Sequence, residues 1–230
     1  MKHILKYLLI LSVFFLPFST SNVSAQSYDL KDIDVELCKI YNVDQQIRKK
    51  IIKAMQNPSL ELISLQNKKD SIDANNQAYV SNLLDSFGWP DNLSDTANRA
   101  IFLVIDHSDN PYSEKYFEMV KDKANQGIIS KANAATLQDR ILMRANKPQK
   151  YGTQTKIDIV YYMTDTDVSK NKNVTYIWPI EDPEKVDELR ISVGLQPINT
   201  YIQQVEELYK TKVVWDKNLK VRDFQAKEQE

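Results

Sequence analysis

Four polar side chains occupy positions that the helical period assigns to the interior, and they are the residues best placed to do chemistry. Asp44 interrupts an apolar seam in the first predicted helix, and Asn76 interrupts another in the second. His107 and Arg190 each follow apolar residues by three or four positions in two further helices. Because an unpaired charge in an apolar interior is strongly disfavoured, these groups are expected to meet in a shared polar pocket.

Several of the candidate residues also have an ordinary structural interpretation. Arg48 lies one turn after Asp44 and can form an intrahelical ion pair with it. His107 ends a predicted helix, where the helix dipole favours a positive imidazole ring. Asp139 and Arg140 lie off the apolar stripe of their helix and therefore suit a solvated face. Spacing alone leaves both interpretations open.

A second group of candidates surrounds Gly152, one of only four glycines in the chain. Gly152 stands between a predicted helix and a predicted strand, where a residue without Cβ permits a positive φ or a close approach. Its neighbours Gln149, Tyr151, Thr153 and Gln154 offer hydrogen-bond donors, acceptors and an aromatic face. The stretch predicts a loop that binds a polar ligand. The structural alternative is a tight turn whose glutamines cap backbone groups.

The residue counts exclude several kinds of site. The chain has two histidines, and only His107 lies outside the first 25 residues, which we expect to be removed as described below. A multi-histidine metal site is therefore excluded and no cofactor is predicted. Cys38 is the only cysteine, which rules out an internal disulfide. The sequence contains no Gly-rich phosphate loop, HExxH or GxSxG motif. A formal net charge of −1 argues against nucleic acid as the main partner.

The first 25 residues have the layout of a secretory signal peptide. Lys2 and Lys6 precede an apolar run over residues 8–18, which is too short to span a bilayer. Small residues then lead to an expected cleavage point after Ala25. We therefore expect a periplasmic or secreted protein without a membrane span.

Apolar periodicity and breaker residues predict a mainly α protein of the α+β class. Residues 26–209 are expected to form one helical domain, a bundle with a small β-hairpin at about residues 155–180, after the YGTQ loop. Helices are predicted over residues 28–55, 59–87, 94–107, 110–125, 130–146, 183–193 and 197–209. Residues 210–230 are expected to form a charged, frayed C-terminal tail.

Five short elements, taken in order, resemble a bacterial domain family of unknown function. They are GWP at residues 88–90, HSD at 107–109, LQDR at 137–140, Q-x-YGTQ at 149–154 and R-x-x-x-GL-x-P-x-x-x-Y at 190–201. Asp44-Gln45 with Arg48, and Asp73 with Asn76, extend the likeness over most of the mature chain.

Two of these elements differ from the family's usual pattern. The family's Gln-His-Ala-Asp element is Asp106-His107-Ser108-Asp109 here, and Asn146 or Lys147 replaces a glycine before Q-x-YGTQ. The resemblance implies no particular activity. It marks the same residues that the helical period places inward.

We expect an exported protein with a polar pocket. An enzyme would use His107 as general acid or base, in hydrolysis or group transfer on a small polar or anionic substrate, without a metal. The catalytic candidates are His107, Asp109 and Asp139, and Asp44 is a further group that can orient the ring. The ligand-binding candidates are Asp44, Gln45, Arg48, Asn76, Arg140, Gln149, Tyr151, Gly152, Thr153, Gln154 and Arg190.

Two other functions would use the same residues. A binding module would hold a carboxylate, sugar or peptide end with its arginine, glutamine and tyrosine side chains, and would break no bond. A structural envelope protein would use the buried network only to fix helix register. In that case Tyr161, Tyr162, Tyr176 and Trp178 of the hairpin would meet a protein partner. An open cavity beside the His107 ring would favour the enzyme.

Overall fold

The computed structural model describes residues 29–55, 60–158 and 174–227. The helices in these residues are α1 (Leu30–Met55), α2 (Leu60–Phe87), α3 (Asp95–His107), α4 (Asn110–Asn125), α5 (Lys131–Arg144), α6 (Val186–Ser192), α7 (Ile198–Tyr209) and α8 (Val221–Lys227). The strands are β1 (Thr155–Asp158), β2 (Val174–Ile177) and β3 (Lys212–Val214). The predicted mainly α, α+β class is confirmed.

Two expectations concern residues outside this range. The signal peptide, residues 1–25, lies before the described part of the chain, so its cleavage and the export of the protein stay predictions. Tyr161 and Tyr162 of the predicted hairpin lie between the described segments. Among the helices of the described segments, none combines the length and apolar character needed to cross a membrane.

Capping residues fix where three of the helices begin. The Ser94 hydroxyl accepts a hydrogen bond from the Ala97 amide at 3.3 Å and starts α3. Asp109 and Ser130 accept from amides three residues ahead in the same way and start α4 and α5. Each cap satisfies an amide that the first helical turn leaves without a partner.

α3 is the central helix of the first apolar core and contacts α1, α2, α4 and α5. Its AIFLVI run, residues 100–105, is almost wholly buried because neighbours pack on several of its sides. Ile33, Leu37 and Ile40 of α1 form the apolar seam that faces this core. Polar residues on the same seams must therefore find partners inside the bundle.

β2 is the middle strand of a small sheet. It pairs antiparallel with β1, in a register that sets Thr155 opposite Ile177, as the predicted hairpin requires. It also pairs parallel with β3, which the sequence did not indicate. Ile177, Val186 and Ile198 belong to a second apolar core beneath this sheet.

The segment after Tyr209, expected to be a charged tail, contains β3 and α8. Phe224 of α8 is buried and stacks on Trp178 with ring centroids 4.9 Å apart. Val213 of β3 is buried in the second core. Charged residues separate Val213 from Phe224, so the segment lacks the period that would have predicted the docking of Phe224.

Candidate functional site

Asp44, Arg48, Asp73 and His107 meet where α1, α2 and α3 pack, and we call them the seam cluster. His107 Nδ1 lies 3.1 Å from Asp44 Oδ1 and 2.9 Å from Arg48 Nε. Arg48 Nη2 lies 3.2 Å from Asp44 Oδ1 and 3.0 Å from Asp73 Oδ1. The predicted pairing of Asp44 with Arg48 is therefore confirmed, and it forms one part of a larger network.

Asp44 is held in its ionised form within this cluster. Burial by itself raises the pKa of Asp44, but the hydrogen bond and charge of His107 and the charge of Arg48 act against it. The net result is a pKa below the ordinary value of 3.8. Gln45 also donates to Asp44 Oδ2 at 2.8 Å, so both carboxylate oxygens have partners.

The Nδ1 atom of His107 faces one acceptor and one donor. A proton on Nδ1 would make it a donor to Asp44, whereas a bare Nδ1 accepts from Arg48. Only one of these can be a hydrogen bond at a time. On its other side, Nε2 lies 4.0 Å from Asp106 Oδ2, beyond hydrogen-bond distance. The cluster therefore fixes the ring through Nδ1.

Asn76 lines a crevice beside the His107 ring, together with Asp44 and Asp73. The residue is 8% exposed, and its Nδ2 has no hydrogen-bond partner within the described structure. The interior of the crevice is too narrow for a water molecule. The crevice thus has an unsatisfied donor but no room for a substrate in this conformation.

Asp106, which precedes His107 in the chain, links α3 to α5. It is 4% exposed and accepts a hydrogen bond from Arg140 Nε at 3.0 Å. Arg144, one turn further along α5, donates to the Ser108 carbonyl, and burial lowers its pKa. Sequence reasoning did not place Asp106 in the site, although it follows the buried Phe102 by four positions on α3.

Asp139 is fully buried and organises the loop formed by residues 149–154, which we call the Gly152 loop. Its carboxylate accepts from the backbone amides of Lys150, Tyr151 and Thr153 at 2.7 to 3.1 Å. The Thr153 hydroxyl donates to it as well, at 2.9 Å. Burial raises the pKa of Asp139 above its ordinary value, and these hydrogen bonds offset only part of that rise. Because every partner is a donor, the ionised carboxylate satisfies all of them.

The expectation of a solvated face is therefore wrong for Asp139. The Gly152 loop folds back over α5 and covers a position that the helical period assigns to solvent. The hydrogen bonds of Asp139 go to this loop rather than to His107. Asp109 likewise serves the backbone, as the cap of α4.

Gln149 ties the Gly152 loop to the end of β2. Its Nε2 donates to the carbonyls of Gln154 and Trp178 at 3.0 and 2.6 Å. Its Oε1 accepts from the Gln154 amide at 2.8 Å. Gln154 Nε2 in turn donates to the Thr136 carbonyl and the Thr153 hydroxyl. The glutamines of this loop thus satisfy buried backbone groups, as in the structural alternative.

Arg190 holds the same loop from α6. It is 1% exposed, and its Nη1 donates to the carbonyls of Tyr151 and Gly152 at 2.7 and 3.2 Å. Its guanidinium lies over the Tyr201 ring, 4.9 Å from the centroid, and the Tyr201 hydroxyl donates to the Thr153 carbonyl. Burial lowers the pKa of Arg190, and the nearby Tyr201 acts to raise it. Tyr201 is the last residue of the R-x-x-x-GL-x-P-x-x-x-Y element, but it was not among the predicted site residues.

An open cleft of about 420 Å³ lies between α5, the Gly152 loop and α7, and we call it the α5–α7 cleft. Its lining residues are Thr136, Arg140, Met143, Thr153, Gln154, Thr155, Arg190, Leu195, Tyr201, Val205 and Tyr209. Arg140 has a side chain 28% exposed, and Nε is bonded to Asp106. Within the described residues, its two terminal nitrogens have no hydrogen-bond partner.

The predicted site residues therefore form two adjacent groups. Asp44, Gln45 and Arg48 lie with His107 in the bundle, and the Gly152 loop lies with Asp139 and Arg190 near the sheet. The Asp106–Arg140 ion pair connects the two groups, and Arg140 lines the cleft. Among the described residues, no group of three or more His, Cys, Asp or Glu side chains could hold a metal ion.

Comparison with known proteins identifies the family. No curated protein and no solved structure matches the chain. A family model described as a family of unknown function, DUF6624, matches residues 31–214. That span includes the seam cluster, the Gly152 loop and every residue that lines the α5–α7 cleft. The chain belongs to this family of unknown function, as the resemblance of its sequence elements predicted.

Proposed function

We propose that the protein is an exported binding module that holds a small anionic ligand in the α5–α7 cleft. The observation that supports this proposal is the hydrogen bonding of Arg140. Its Nε is anchored by the buried Asp106, while its two terminal nitrogens have no partner in the described structure and the side chain lines the cleft. A guanidinium held in this way is organised in advance for an anion.

The surroundings of Arg140 support ligand binding rather than a solvated ion pair. The cleft volume of about 420 Å³ lies within the usual range for small-molecule sites. Thr153 and Gln154 contribute polar groups to the cleft lining, and Arg190 adds a second positive charge. Asp139 and Arg190 hold the Gly152 loop in place through hydrogen bonds to its backbone. The loop therefore loses little conformational entropy when a ligand binds.

Export forms part of the same proposal. The N-terminal residues have the layout of a secretory signal peptide, with Lys2 and Lys6 before an apolar run. A binding module in the periplasm or outside the cell would take its ligand from that compartment. Separate detection of the cleaved chain in periplasmic and culture fractions tests this point, and retention of the uncleaved chain in the cytoplasm would refute it.

Calorimetric titration of the mature protein with acetate and with phosphate tests the binding function. We expect Arg140→Gln to weaken anion binding by about 10- to 100-fold, because hydrogen bonds to a charged group contribute about 1.5–3 kcal/mol. Arg140→Lys keeps a positive charge beside Asp106 but removes the two-pronged donor, so it should also bind more weakly than wild type.

The matched control is Arg99→Gln, which removes an exposed arginine that lies over the Tyr41 ring, 5.6 Å from its centroid. It should leave anion binding unchanged. Circular dichroism and thermal unfolding of each variant verify that the fold is intact. Equal binding by Arg140→Gln and wild type, or no anion binding by wild type, would refute the proposed function.

Hydrolysis or group transfer at His107 is a second candidate, favoured by one specific observation. Asp44 and Arg48 fix the ring through Nδ1, and Asn76 Nδ2 in the adjacent crevice has no partner in the described structure. A ring fixed in this way leaves Nε2 to exchange a proton, and Asn76 could donate to a substrate oxygen. The narrowness of the crevice places this candidate second.

A panel of chromogenic esters, phosphomonoesters and glycosides tests the second candidate. If His107 is the acid or base, wild type turns over at least one of them, and His107→Ala abolishes that turnover without changing the unfolding temperature. A rate in His107→Ala equal to that of wild type would remove His107 from the mechanism. Anion binding in the cleft should be the same in both proteins.

A further inference from the structure

The lining of the α5–α7 cleft limits the kind of anion that can bind there. Resting on the proposed binding function, we propose that the ligand is a monocarboxylate with an apolar group beside it and an acylated, not a free, amino nitrogen. An N-acylated apolar amino acid and the C-terminal residue of a peptide share this chemistry. The charges, the hydrogen-bond donors and the apolar side chains of the cleft lining favour this class of ligand.

The charges in and behind the cleft favour a ligand with no more than one negative charge. Arg140 and Arg190 are the two charged side chains of the lining within the described part of the chain. Each is already largely compensated, because Asp106 bonds to Arg140 and the charges of Asp187 and Asp139 act on Arg190. A dianion such as phosphate would therefore add twice as much uncompensated negative charge as a carboxylate.

The same lining is unsuited to a ligand that carries an ammonium group. Among the described residues of the cleft lining there is no aspartate or glutamate. A free amino acid would have to place its ammonium near the guanidinium of Arg140 without a carboxylate to receive it. Acylation of the nitrogen removes this charge.

The donors of Arg140 suit a planar carboxylate. Its two terminal nitrogens are parallel donors on one rigid guanidinium, and Nε is already bonded to Asp106. Paired donors of this kind bind the two oxygens of a carboxylate together. Gln154 uses Nε2 within the loop, and no hydrogen bond in the described structure engages its Oε1. That oxygen can accept from the amide N–H of an acylated ligand.

Apolar side chains form part of the cleft lining, and we call them the apolar wall. Val205 and Tyr209 follow Tyr201 at intervals of four on α7, so all three project from one face of the helix. Leu195 and Met143 complete this wall, and Leu195 is partly exposed. An apolar side group of the ligand would be removed from water against these residues. A bare acetate ion would leave the wall uncovered.

Calorimetric titration with four small probes tests the ligand class. The probes are N-acetyl-leucine, leucine, N-acetyl-leucinamide and inorganic phosphate. We expect N-acetyl-leucine to bind at least about tenfold more tightly than each of the others, because only it has the carboxylate, the apolar group and no ammonium. A fifth probe, the tripeptide Ala-Ala-Leu, has its ammonium far from the carboxylate. Its comparison with N-acetyl-leucine distinguishes a peptide C-terminus from a free acylated amino acid as the ligand.

One variant isolates the apolar wall. Leu195→Ser should weaken N-acetyl-leucine binding by about 3- to 10-fold and leave acetate binding unchanged, because acetate does not reach the wall. Leu208→Ser, which changes a residue 47% exposed and outside the cleft lining, is the matched control and should change neither.

The outcomes separate this inference from the proposed function. If N-acetyl-leucine binds in a way that depends on Arg140, and leucine or phosphate binds as tightly or more tightly, the ligand class is wrong while the binding function stands. If no anion binds, the proposed function itself fails. Tighter binding of Ala-Ala-Leu than of N-acetyl-leucine would identify a peptide C-terminus as the source, and the reverse order would identify a free acylated amino acid.

Discussion

Asp139→Asn is expected to lower the free energy of unfolding by about 3–5 kcal/mol, the cost of breaking a fully buried charged network. Its carboxylate accepts from three backbone amides and one hydroxyl of the Gly152 loop. In asparagine, one of the two oxygens becomes an NH₂ group. Whichever oxygen is replaced, a donor would then face backbone donors, because both oxygens accept from amides.

Urea unfolding at neutral pH measures this loss, with Asp122→Asn as the control. Asp122 lies exposed on α4, and substitutions at such surface positions change stability by less than about 0.5 kcal/mol. A loss below about 1 kcal/mol for Asp139→Asn would show that the loop is held mainly by its other contacts, such as those of Arg190.

Gly152→Ala is expected to lower the free energy of unfolding by about 2–5 kcal/mol, through two separate effects. The backbone at Gly152 has φ +68°, a left-handed conformation that costs an L-residue about 1–2 kcal/mol. A Cβ there would also lie 2.8 Å from Ile180 Cδ1 and 2.9 Å from Ile198 Cδ1. Both isoleucines are buried, and overpacking such a site costs about 1–3 kcal/mol.

Gly127→Ala separates the two effects. Gly127 has a similar φ of +78°, but a Cβ there meets nothing within 4 Å. It should therefore show only the backbone cost, and the difference between the two variants reports the contact with the isoleucines. Equal losses in both variants would mean that the second core relaxes around the added methyl group.

The sequence predicted most of the helices and the inward positions on them, because both depend on local spacing. Asp44, Asn76 and Arg190 interrupt apolar seams in the sequence, and all three are buried. His107 projects from the apolar face of α3, as the helical period predicted, and its ring contacts Asp44. These placements follow from the 3.6-residue period, which a single helix records in its own sequence.

The remaining features depend on contacts between distant segments, which the helical period does not record. Asp139 is polar and off the stripe of α5, and it is buried only because the Gly152 loop folds back over it. The docking of Phe224 on Trp178 joins residues 46 positions apart in a highly charged segment. The same holds for the different roles of Arg190 and Arg140. Arg190 bonds to backbone carbonyls, whereas the terminal nitrogens of Arg140 have no hydrogen-bond partner among the described residues.

The distinction between Arg140 and the other arginines is the central claim, and the Nε–H resonances of the arginine side chains test it most directly. Titration of ¹⁵N-labelled mature protein with N-acetyl-leucine should shift the Arg140 resonance in a saturable way. The resonances of Arg99 and Arg48, which lie outside the cleft, should stay in place. An Arg140 resonance that does not move while the ligand binds, or shifts confined to arginines outside the cleft, would contradict the claim.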